Sequence, residues 1–130
     1  MNRILVTFLS FARTSTAAPL RSGETAKAQV ESAAYWGKQW GCGNCGVQSA
    51  MAFVHLRDVC KLFPLDWLQL KHGDHGFVVI GRDHGTNPST PHHWNNEAVL
   101  CDPWNDTACR MNESSLRHSE LQLIYRHEPA

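Results

Sequence analysis

The clearest periodicity in the chain begins at Val47. Val47, Ala50, Met51 and Val54 recur at i, i+3, i+4 and i+7, which puts an apolar stripe along one face of a helix predicted over 47–62. Arg57, Asp58 and Lys61 mark its wetter end, and Pro64 is expected to stop it. Two other runs follow a different rule. Residues 76–82 and 98–102 are rich in Val, Ile and Leu and bounded by Gly, Pro or Asp, as buried strands are. Between them, 83–96 contains Gly85, Pro88 and Pro91 and has no period, so it reads as a loop joining antiparallel neighbours. A last strand is expected over 121–126, where Leu121, Leu123 and Tyr125 alternate with Gln122, Ile124 and Arg126. Upstream, 28–36 predicts a short helix ending at Gly37. The pattern is α+β, a helix packed on a small antiparallel sheet.

Before this core the composition changes. Residues 13–27 are dominated by Ser, Thr, Ala, Pro and Gly, so 1–27 reads as a poorly ordered arm or a secretion signal, with the folded domain over 28–130. Arg3 followed by 4–12 has the outline of a short signal sequence, and Thr16-Ala17-Ala18 would pass for its cleavage site, although Thr7 and Ser10 break the apolar stretch. No stretch approaches the roughly 18 apolar residues of a membrane-spanning helix.

Charge narrows the function classes. Twelve basic and twelve acidic residues cancel, with no block of like sign, where a nucleic-acid binder would show a basic stripe. Five cysteines, Cys42, Cys45, Cys60, Cys101 and Cys109, cannot all pair within one chain, so at least one thiol is free and a reducing site of action is expected.

The candidate chemistry starts at Gln39-Trp40-Gly41-Cys42-Gly43-Asn44-Cys45-Gly46, where Cys45 ends a Gly-rich turn at the start of the predicted helix. A thiol among unpaired N–H groups, at the positive end of the macrodipole, is favoured as thiolate. Asp74-His75-Gly76 opens one predicted strand and Cys101-Asp102-Pro103-Trp104 closes the other. A histidine can hold the thiol's proton, and a carboxylate on its far nitrogen fixes the tautomer.

The first of these segments resembles the nucleophile segment of papain-like cysteine proteases. The order Asn-Cys-Gly, then Asp-His-Gly-Phe-Val-Val-Ile, then Val-Leu-Cys-Asp-Pro-Trp is more similar to papain-fold bacterial toxins and type III effectors, which include glutamine deamidases and effector cysteine proteases. The likeness covers roughly 39–104, and the compressed spacing leaves no room for papain's second lobe. It implies a minimal papain-like core with Cys45 as nucleophile, His75 as base and Asp102 as its partner. It further implies that the Gln39 amide and the Cys45 N–H hold the oxyanion, that no cofactor or metal is used, and that the substrate is an amide of a host or target-cell protein. A bacterial protein secreted or translocated into a reducing cytoplasm fits that reading.

The residues leave alternatives open. Cys42-Gly-Asn-Cys45 is also a Cys-x-x-Cys, half of a zinc site completed by Cys101 and Cys109 or by histidines, or a redox pair. His72 rivals His75 as base, and Asn95, Asn96 and Asp106 rival Asp102. Trp40 and Trp104 flank the motifs as walls of a substrate groove or as core. A catalytically silent binding module of the same fold is the remaining reading.

Overall fold

The computed structural model describes residues 25–40 and 45–128, with the side chains of Trp36, Lys38, Gln39 and Trp40 outside that description. Residues 1–24, which hold most of the arm or signal expected over 1–27, lie outside it as well, and the expected boundary at 28 is corrected: helix already begins at Ala26.

The described chain is α+β. Helices α1 (Ala26–Trp40) and α2 (Cys45–Asp58) precede five strands: β1 (Leu65–Leu70), β2 (Gly76–Ile80), β3 (Val99–Asp102), β4 (Thr107–Arg110) and β5 (Leu121–His127). The sheet is antiparallel throughout, in the order β4-β3-β2-β1-β5. The expected loop 83–96 does join two antiparallel neighbours, β2 and β3.

Thr25 caps α1, its Oγ1 accepting from Ala28 N at 3.1 Å. The expected stop at Gly37 is corrected: α1 runs on to Trp40. A Cβ at residue 37 would collide with Val47 and Met51, so this glycine is a point of close approach between α1 and α2. The helices run antiparallel, with Arg57 near the end of α2 donating to Glu31 near the start of α1 at 2.9 Å. Helix α2 ends at Asp58, earlier than the proline suggested, and Lys61 sits in the left-handed region at φ 58° on the way to β1.

Both faces of the sheet are covered. On one, Val30, Ala33, Ala34, Ala50 and Phe53 from the helices pack on Leu65, Trp67 and Val78. On the other, Leu68, Phe77, Val79, Leu100 and Leu121 pack on Trp94, Ala98 and Met111 from the connecting segments.

Three expectations about the sheet are corrected. Strand β1 is not expected from the sequence, because Leu-Asp-Trp-Leu-Gln-Leu carries an acid at its second position; Asp66 is nevertheless fully buried. Arg82 meets it through Nε and Nη2 at 2.9 and 3.3 Å, and Arg126 Nη1 reaches its two oxygens at 3.2 and 2.9 Å. Arg82 in turn donates to the Thr86 carbonyl at 2.6 Å, and Arg126 to the Arg82 carbonyl at 2.9 Å. A buried carboxylate is tolerated when cations and hydrogen bonds surround it in this way. Strand β4 was also missed, being short, mostly exposed and at the sheet edge.

The third correction concerns β5. The register against β1 shifts between Trp67, which pairs with Tyr125, and Leu68, which pairs with Leu123. Ile124 is the extra residue of a bulge, so Leu123 and Tyr125 face opposite sides despite their even spacing.

Candidate functional site

The site is built where the first turn of α2 meets the first residue of β2. Ser49, fully buried, donates to the Gly46 carbonyl at 2.9 Å and accepts the Trp67 indole N–H at 2.9 Å, which ties that turn to β1. A Cβ on Gly76 would meet Ser49 Oγ at 3.2 Å and Gly46 Cα at 3.5 Å. Glycine at 76 is what lets the strand lie so close to Ser49. The residues just before Gly46 and Gly76, Cys45 and His75, are thereby brought to the same end of the sheet.

Cys45 is buried at the start of α2, and its thiol donates to the Asp74 carbonyl at 3.5 Å. The sulfur is thus held by the residue adjacent to His75 and is turned onto the backbone rather than bonded to the imidazole.

His75 Nε2 lies 2.6 Å from Asp102 Oδ2. Both side chains are largely shielded, the histidine 15% and the aspartate 2% exposed, and Phe77 stands beside the ring at a centroid distance of 5.7 Å. A carboxylate only accepts, so this bond places a ring proton on Nε2, and in the neutral ring Nδ1 is the atom that carries the lone pair. Asp102 ends β3 and caps the 3-10 turn Pro103–Asn105, with Oδ1 accepting from Asn105 N at 3.4 Å. Oδ2 also accepts from Asn105 Nδ2 at 2.9 Å. Burial, and then the charge of Asp102, push the neighbouring Cys101 thiol above its ordinary value, which keeps it protonated.

The remaining candidates separate. Trp104 is half-buried in the 3-10 turn that packs against α2. Gln39 and Trp40 belong to the last turn of α1, and their side chains lie outside the description. His72 is exposed in the β1–β2 turn and paired with Glu120 at 3.2 Å, so it is not the partner of Asp102. The Asn95 side chain holds the backbone at Gly81 and Asp83, Asn96 is exposed, and Asp106 is exposed in the left-handed region; none of the three replaces Asp102 at His75. Cys42 lies outside the described residues. Cys101 packs on the helical side of the sheet and Cys109 on the other, so they do not form the second half of a zinc site. Among the described residues no group of three or more His, Cys, Asp and Glu is placed to hold a metal ion. None of the described helices is long and apolar enough to cross a membrane.

Asn105 was not singled out in the sequence. Its position three residues after the aspartate of an Asp-Pro, where an Asx-capped turn would aim its N–H back at that aspartate, is the signal that could have found it. Comparison with protein-family models, with curated proteins and with solved structures returned no match.

Proposed function

We propose that the chain is a papain-like cysteine hydrolase acting on an amide of a protein substrate, with Cys45, His75 and Asp102 as its triad. The observation that carries this reading is the 2.6 Å bond between a shielded imidazole and a buried carboxylate, formed beside a cysteine at a helix N-terminus. A general base needs its tautomer fixed, and a bond from Nε2 to a buried carboxylate fixes it.

The chemistry follows from the free Nδ1. The Cys45 sulfur turns from the Asp74 carbonyl toward the ring and gives its proton to Nδ1, and Asp102 steadies the imidazolium. The thiolate forms a C–S bond to the carboxamide carbon. The oxyanion is received by the Cys45 N–H and, as the resemblance implies, by the Gln39 amide. As the C–N bond breaks, Nδ1 returns its proton to the leaving nitrogen. Water then attacks the thioester, giving up a proton to Nδ1; the C–S bond breaks, the sulfur takes that proton back, and the acid product leaves and ionises to solvent.

The amide is the side chain of a glutamine, because a domain of this size offers little length of groove for an extended peptide. In that reading the protein is a bacterial effector or toxin that deamidates a target-cell protein. One observation favours a second reading, a non-catalytic binding module: the thiol rests on a carbonyl and not on the imidazole.

The test is intact-mass spectrometry of candidate target proteins incubated with the native chain and with Cys45→Ala. Deamidation gives the small mass gain of amide-to-acid conversion with native chain only. Fragments would assign a protease instead. Unchanged targets, together with alkylation of Cys45 no faster than that of exposed Cys60, would leave the binding module.

A further inference from the structure

The geometry points to Asn105 as a positioning residue that clamps Asp102 for His75. Both oxygens of the Asp102 carboxylate are held from this one residue, Oδ1 by its backbone N–H at 3.4 Å and Oδ2 by its side-chain amide at 2.9 Å. Oδ2 is the same oxygen that receives His75 Nε2 at 2.6 Å. The Asn105 amide nitrogen is 3.5 Å from Nε2, and since both are donors this is a contact of neighbours, not a bond.

A carboxylate at the end of a strand has two free torsions, and one bond to an imidazole does not fix them. The capped turn supplies the second point. Its backbone contact sets where Oδ1 lies, and the side-chain donor stops the carboxyl group from swinging Oδ2 away from Nε2. Because Asn105 itself is exposed, this side chain contributes little to the core, and its effect is concentrated on the dyad. The role in catalysis rests on the proposed triad; the clamp itself does not.

The spectroscopic test is therefore independent of turnover. In the native chain the His75 Nε2–H proton should give a downfield, slowly exchanging resonance, identified by its loss in His75→Gln. Asn105→Ala should accelerate its exchange with solvent by about tenfold, the loss expected for one charge-assisted hydrogen bond, while the backbone amide spectrum of the core stays unchanged. Asn105→Ser, which keeps a short donor, should recover part of the protection. Unchanged exchange in Asn105→Ala, or the lack of any such resonance in the native chain, would overturn the clamp. If the clamp holds while the native chain, like Cys45→Ala, leaves every target unaltered, the proposed hydrolase fails and the clamp does not. If both stand, Asn105→Ala lowers kcat with little change in KM.

Discussion

The indole N–H of Trp67 donates to Ser49 Oγ at 2.9 Å, joining a sheet strand to the first turn of the helix that carries Cys45. Ser49 passes the bond on to the Gly46 carbonyl, so the helix start is fixed to the sheet through one buried hydroxyl. Ser49→Ala would strand the indole donor and should cost about 1–3 kcal/mol of stability. Trp67→Phe removes the donor and leaves a smaller ring. The double variant, measured by urea denaturation, should lose less than the sum of the two single changes.

Gly37 makes a second prediction about the helix pair. A methyl group there runs into the β-branched Val47 side chain as well as the pliable Met51. Gly37→Ala should therefore destabilise the fold by about 1–3 kcal/mol, overriding the roughly 1 kcal/mol that alanine gains over glycine in a helix. Val47→Ala in the Gly37→Ala background should recover part of the loss, as read from the denaturation midpoint.

Asp66 sits between two arginines with no exposure of its own. Asp66→Asn leaves Arg82 buried without its counter-charge and should cost about 3–5 kcal/mol. Arg126→Ala should cost less than Arg82→Ala, since Arg126 lies nearer solvent, with side chains 13% and 3% exposed respectively. Thermal unfolding of the three variants checks the order.

Cys101 carries the pH prediction. Burial and the Asp102 charge hold its acidity below that of an ordinary thiol, so its value in the fold lies above the usual 9.0. The folded state then keeps a proton that the unfolded chain releases. The associated stability is intact below pH 9.0 and is lost as pH rises through the raised value. At mildly alkaline pH, alkylation of Cys101 should lag that of exposed Cys60, and Asp102→Asn should narrow the gap; peptide mass mapping over time reads both rates.

What was legible in the sequence is the part of the fold whose residues answer to local rules. Strands β2 and β3 are runs of Val, Ile and Leu, and α2 has a helical period, so their identity followed from period and composition. The buried face of α2 is nevertheless Cys45, Ser49, Ala50 and Phe53, of which the expected stripe held only Ala50, while Val47 and Met51 lie against Gly37 of α1. Strand β1 did not, because the partners that make Asp66 tolerable lie 16 and 60 residues away. The bulge at Ile124 was hidden for a related reason: an even alternation says nothing about a partner strand that lacks one residue. Gly37 read as a stop because its use is tertiary, a contact with a helix that follows it. At the site, His75 and Asp102 were legible as the ends of two strands, and the structure does pair them. The orientation of the sulfur and the hold of Asn105 on the carboxylate depend on rotamers and on a 3-10 turn, which spacing alone does not encode.

The bulge in β5 has a mechanical consequence. Leu121 and Leu123 fasten the strand to one hydrophobic layer, while Tyr125, its ring 5.6 Å from that of Phe53, fastens it to the other. The strand acts as a rivet driven through the sheet. The two layers cannot loosen one at a time without tearing it out, so hydrogen exchange in both should report a single opening event, and excising residue 124 should split that event into two.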